Sequence, residues 1–168
     1  MKNNSILARK DLTRAVVHVE QESLSIHMGE WRFLVPDAYS PQIVTAFGDW
    51  IFTFPRLEID FLDVLEWTFS CIADSETPFY HLLETVENRN RWFMADWVDI
   101  CYGQGLVPKE GECFGWKIHP IFGCKLESAN IQLFDILVFQ SILGQIFRQI
   151  RSKPEGFMIT EVRLEGEA

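Results

Sequence analysis

From residue 41 to residue 100 the sequence contains no lysine, and three arginines stand there against eleven Asp and Glu. That shortage of positive charge excludes a nucleic-acid-binding surface in this stretch, because phosphate contacts need Lys and Arg. It is equally unsuited to an anionic membrane surface. The deficit extends to the whole chain, which carries 15 Lys and Arg against 24 Asp and Glu, a formal net charge of −9. Long apolar runs are scarce too. The longest, around residues 131–147, is interrupted by Asp135, Gln140 and Gln145, so it does not read as a membrane span. The first twenty residues carry charges where an export signal needs an unbroken apolar run. The four cysteines (71, 101, 113 and 124) form no CxxC pair. Without an export signal they read as reduced thiols in a cytoplasm. There is no GxSxG nucleophile elbow and no GxxxxGK[ST] phosphate loop.

What is present is an ordinary globular composition. Of 168 residues, 48% are hydrophobic and 23% charged, enough for one domain with a real core. Six Trp and fourteen Phe make the chain ring-rich. Rings bury first, and any left on the surface suit a docking partner. An acidic exterior serves solubility, and it also attracts a basic protein partner at long range.

The pattern along the chain is α+β. "AVVHVEQESLSIHM" alternates well enough for one or two short strands, and "WRFLV" reads as another, ending at Pro36. "IVTAF" and "WIFTF" flank Gly48-Asp49 as a hairpin does, and Pro55 punctuates. In "LEIDFLDVLEW", Leu57, Ile59 and Phe61 alternate with Glu58 and Asp60, which predicts one dry face and one solvated acidic face. "SETPFYHLLETVE" predicts a helix from Asp74 or Ser75, and "NRNRWFMADWVDICYGQG" a second one stopped by Gly103 or Gly105. Asn130 is positioned to cap a last helix, "IQLFDILVFQSILGQIFRQIRS", apolar nearly all round and therefore central. The expected architecture is a single domain, an antiparallel sheet of about five to six strands packed on three to four helices. Residues 1–40 form an N-terminal extension of that domain, 41–160 its body and 161–168 a tail.

The stretch most suggestive of chemistry is "CFGWKIHPIFGCKL", residues 113–126. Cys113, His119 and Cys124 are six and five apart with no fourth ligand nearby, which is not zinc spacing. The sequence therefore implies no metal and no cofactor. Cys101 or Cys113 beside His119 or His81 would make a thiol hydrolase if the fold joined them, and the many carboxylates leave paired-acid glycoside chemistry open. The plainer reading is a strand broken by turns, in which Gly115 and Gly123 allow close approach or positive φ and Pro120 holds His119 extended.

These residues also carry a resemblance. Phe114-Gly115, Pro120, Phe122-Gly123, Asn130, Ile142-Leu143-Gly144-Gln145-Ile146 and Gln149 occur in the order found in the C-terminal domain of immunity proteins of bacterial type VI secretion systems, which neutralise a DNase effector. "VTAFGDWIF", "IDFLDV" and "CIADSETPFYHLL" extend the similarity over roughly residues 40–160. Cys124 departs from it, standing where the family often has a second glycine. The resemblance implies a non-catalytic protein whose partner is a cognate toxin, with neither nucleic acid nor membrane as its ligand and its oligomeric state open. Gly115, Pro120, Gly123, Asn130, Gly144 and Gln145 would be structural. Together with the charge argument it points to Glu58, Asp60, Asp63 and Glu66 as acids that contact a basic toxin, and to Trp67 as an aromatic anchor. A regulatory or scaffolding module with another partner is the alternative, ahead of a Cys/His hydrolase.

Overall fold

The computed structural model describes residues 9–19, 26, 28–39, 41–53, 57–154, 156–159 and 161–164. Five strands form an antiparallel meander in chain order: β1 (Val16–Val17), β2 (Pro41–Thr45), β3 (Trp50–Phe52), β4 (Ile59–Asp63) and β5 (Thr68–Ala73). A separate pair joins β6 (Glu112–Trp116) to β7 (Ile131–Asp135). The α-helices among the described residues are α1 (Glu76–Leu82), α2 (Val86–Phe93), α3 (Ala95–Gly103) and α4 (Ile136–Ile150). This is the α+β architecture that the alternating and helical periods predict. Two expectations fall elsewhere. "WRFLV" is not a strand: Gly29–Trp31 is a single 3-10 turn that buries Trp31. Residues 20–25 and Pro55 lie outside the described residues.

The first hairpin shows how local chemistry sets the frame. Thr45 and Asp49 close the β2–β3 turn: the Thr45 N–H donates to the Asp49 carbonyl (2.8 Å), and the Asp49 N–H donates to the Thr45 hydroxyl (3.0 Å). That hydroxyl donates in turn to Asp49 Oδ2 (3.1 Å). Asp49 Oδ1 accepts from the Val64 N–H (2.9 Å), which belongs to the next turn. One carboxylate thus braces two turns on the same side of the sheet. Short polar side chains favour such turns because they bond the backbone locally.

Both faces of the sheet are covered over β2–β4, which corrects the expectation of a solvated acidic face there, whereas β5 keeps exposed residues. Ile43, Ile51, Ile59 and Phe61 pack with Phe79, Leu83, Trp92, Phe93, Val98 and Cys101 from α1–α3. Val44, Trp50, Phe52 and Leu62 point the other way, and pack with Ile136, Phe139, Leu143 and Ile146 of α4 and with Met28 and Trp31. Residues i and i+1 of a strand face opposite sides, so each neighbouring pair here serves two cores. Asp60 is therefore buried, at 6% exposure, while Leu57, outside the strand, is 81% exposed.

The helices differ from the expected ones at their junctions. The first ends at Leu82 and α2 restarts after Thr85, whose hydroxyl accepts from the Asn88 N–H (3.2 Å). The expected second helix is cut at Met94, which sits at φ 49°, ψ 41°, and this splits α2 from α3. Ile131–Asp135 is strand β7, not the start of the last helix. Its partner β6 claims those residues, and Asp135 caps α4 instead, accepting from the Val138 N–H (3.1 Å). Nor is α4 buried all round: Leu137 and Val138 are exposed, whereas Gln140 and Gln145 are buried.

Candidate functional site: an acid-lined cleft

A cleft of about 320 Å³ opens where the turn after β4 faces the α2–α3 junction. The turn contributes Asp63, Leu65 and Glu66, and the junction contributes Asn90, Met94, Asp96 and Trp97 together with one cation, the exposed Arg91, while the buried Asp49 also lines the cleft, so acids outnumber bases there four to one. Each side is held rigidly. Asp63 Oδ1 accepts from the N–H groups of Leu65 (2.9 Å) and Glu66 (2.8 Å), so its carboxylate shapes its own turn. Asn90 Nδ2 donates to Asp96 Oδ2 (2.6 Å), and Asn90 Oδ1 accepts from the Asp96 N–H (3.0 Å), locking the kink between the helices. The non-glycine residues with positive φ among those described are Met94, which lines the cleft, and Trp67, the buried residue that follows Glu66. A non-glycine residue in that conformation costs of order 1–3 kcal/mol and persists only where its surroundings over-determine it.

Asp49 is electrostatically unusual. Burial pushes its carboxyl up to about 7 from 3.8, and the Asp63 charge adds to the push. The bonds from Val64 and Thr45 pull the other way without cancelling it. His119 lines a small inner cavity together with Asp49, Leu65 and Met94. Its ring stacks on Trp67 (centroids 5.1 Å apart, planes at 11°). Its Nδ1 accepts from the Ile121 N–H (3.3 Å), while Nε2 has no hydrogen bond of good geometry although the Val64 backbone lies near. Burial lowers its pKa to about 4, so the imidazole is neutral at physiological pH.

The five candidate contact residues therefore separate. Glu66 is exposed and Asp63 half-buried in the cleft wall, and Glu58 is half-buried beyond it. Asp60 and Trp67 face inward. Trp67 is a core ring stacked on His119 and tilted against Phe147 (4.3 Å), which leaves it no surface with which to anchor a partner. Sequence reasoning missed Asp49, Asn90 and Asp96. The Gly48-Asp49 turn was the one legible trace of the first, and the other two need the helix break at Met94, which no local signal marks.

The motif residues have structural work. Gly115 lies against the Phe134 and Phe139 rings, where a Cβ would collide, and Gly144 lies against Glu30 in the same way. Pro120 opens a 3-10 turn capped by His119, and Gly123 closes it at φ 83°. Asn130 clamps that loop: its Oδ1 accepts from the Ile118 N–H (3.0 Å) and its Nδ2 donates to the Ile118 carbonyl (2.8 Å). Gln145 donates to the Ser141 hydroxyl (3.1 Å) within α4. All four cysteines are free, and the buried thiols of Cys101 and Cys113 are held in their neutral form rather than activated: burial raises the pKa of Cys101 to about 11 and that of Cys113 further still. Among the described residues no group of three or more His, Cys, Asp or Glu is placed to hold a metal ion, and no helix is long and apolar enough to cross a membrane.

Residues 73–147 match the family model described as T6SS immunity protein Tdi1, C-terminal. The segment runs from the end of β5 into α4 and contains all six motif residues, so the resemblance to a type VI secretion immunity domain holds there. Asn90 and Asp96 lie inside it, and Asp49, Asp63 and Glu66 before it. The chain is also similar to a solved structure titled "Crystal structure of Atu4351 from Agrobacterium tumefaciens", with 17% identity and a TM-score of 0.47, covering 74% of this chain and 62% of that one. No curated protein matches the sequence.

Proposed function

We propose that this chain, whose residues 73–147 carry a type VI secretion immunity domain, binds a cognate effector in the cytoplasm and blocks it without catalysis. The effector is a basic, nuclease-type toxin, and the acid-lined cleft is where its cationic surface is met. The observation that carries the reading is that cleft, with the carboxylates of Asp63 and Asp96 held by hydrogen bonds on two walls, Glu66 exposed beside Asp63, and acids outnumbering the single cation Arg91. A nuclease must hold phosphates and is therefore cationic around its active site, so anionic groups held at fixed positions compete for it. Steering by complementary charge also raises the association rate, which suits a protein that must capture the toxin before it cuts.

The test has two arms. Co-expression with the toxin encoded beside it should rescue growth, and the two proteins should co-purify. Failure of both rejects the immunity reading. The second arm combines Glu66→Lys with Asp63→Asn, which keeps the amide oxygen that shapes the turn. Association should slow about tenfold or more and lose part of its salt dependence. An unchanged on-rate moves the contact away from the cleft while leaving immunity intact.

A further inference from the structure

We propose that the outer edge of β5 takes the partner's backbone: an extended segment bearing Lys or Arg adds to the sheet along Thr68–Cys71 as a sixth strand. This rests on the immunity reading and specifies how the effector is held.

Strand β5 ends the strand order, so β4 occupies one of its edges and no strand among the described residues occupies the other. Thr68, Ser70 and Cys71 are exposed, and the register Asp63↔Thr68 through Asp60↔Cys71 is regular, with the irregularity confined to the Ile59 end. Natural edges are blunted by shortness, lysine, proline or a bulge. The opposite edge obeys this rule, since β1 is two residues long. The β5 edge is blunted only at its far end, where Ile72 is an extra residue between the Asp60↔Cys71 and Ile59↔Ala73 pairs; "TFSCIA" is otherwise the longest strand of the sheet, holds no charge and no proline, and keeps an unbroken register over Thr68–Cys71. Its row of backbone donors and acceptors is a template for strand addition.

Charge selects the occupant. Asp63 and Glu66 lie at the start of the strand, and Asp74 and Glu76 follow its end. Midway, the Cys71 thiol is raised first by burial and then by Asp60, with Glu58 and Asp74 adding smaller effects, so the edge sits in a negative potential. A second copy pairing antiparallel would set Asp63 and Glu66 of one protomer against Asp74 and Glu76 of the other, two like-charged ends in contact. A cationic strand turns the same four acids into complements. Phe69 is half-buried beside Tyr39 (5.2 Å) and Phe52 (5.6 Å), and an apolar side chain of the added strand would cover it.

The experiment is hydrogen exchange on the full chain with and without the purified toxin encoded beside it. The amides of residues 68–71 should slow by at least tenfold in the complex, and alkylation of exposed Cys71 by iodoacetamide should slow with them. Ser70→Lys and Thr68→Lys should leave the melting temperature unchanged and weaken binding by at least tenfold. A complex in which β5 exchanges as freely as before overturns this inference alone. No complex at all overturns the immunity reading and this inference together. Protection that grows with the chain's own concentration, with a dimer mass, assigns the edge to a second copy and also overturns it.

Discussion

Asp49 concentrates the unusual chemistry of the molecule in one side chain. Folded, it keeps its proton up to about pH 7, whereas unfolded it releases it near 3.8. Between those values the folded state binds more protons, so stability falls as pH rises through the window. His119 opposes it. Folded it stays neutral down to about 4, whereas unfolded it protonates near 6.5, so its contribution rises with pH over that range. Asp49→Asn removes the first effect and spares the second, and its amide oxygen still accepts from the Val64 N–H. The melting temperature of the variant, measured against wild type by circular dichroism, should gain steadily from pH 4 to pH 7 and level off above. A constant difference across that range would show that Asp49 ionises in the fold as it does in water. At Gly115 the added methyl of Gly115→Ala meets Phe134 and Phe139, and overpacking of this kind costs about 1–3 kcal/mol. Urea denaturation measures it, and an unchanged midpoint would mean that the two rings yield freely.

At the scale of elements, the interest lies in junctions. Asp135 ends a strand and caps a helix in one residue, so Asp135→Ala should cost about 1 kcal/mol without altering the sheet. Asn130→Ala strips both bonds from Ile118, leaving a donor and an acceptor unmatched at the neck of the 117–123 loop. A loss of about 1–3 kcal/mol is expected in denaturant, with proteolysis of that loop accelerated. Some elements were legible from composition alone. "IVTAF" and "WIFTF" around Gly48-Asp49 form the hairpin that their β-branched and aromatic residues imply. Others were not. "IQLFDILVF" is one apolar run, and neither its periodicity nor its propensity shows where β7 yields to α4, because pairing with β6, some twenty residues upstream, decides it. Met94 has no glycine or proline to announce the break between α2 and α3. The clasp between Asn90 and Asp96 spans the break and joins a residue of each helix.

For the whole molecule, the decisive quantity is where charge sits relative to the two cores. The alternation in "LEIDFLDVLEW" predicts an open acidic strand face. The middle of that stretch is instead enclosed by α4; Asp63, Glu66 and Asp96 remain at the cleft and Asp74 and Glu76 beyond the end of β5, while Glu84, Glu87 and Asp99 are exposed on the helices or between them. An interface built on those residues makes capture of a basic partner strongly dependent on ionic strength. The association rate, followed by stopped flow, should fall about tenfold or more from low to physiological salt while dissociation changes little. A rate insensitive to salt would place the contact on an uncharged part of the surface.

The sequence by itself determined the α+β class, the meander and the turn that Pro120 opens and Gly123 closes. These follow from local pattern, the two-residue period of strands and the turn preferences of a few residue types. Tertiary structure alone decided that β2–β4 are covered on both faces, that Asp60 and Trp67 turn inward, and that Asp49, Asp63, Glu66 and Asp96 share one cleft. The physical reason is that burial and electrostatic potential are set by what lies across space, and here that means α4 on one side and the Asn90–Asp96 clasp on the other.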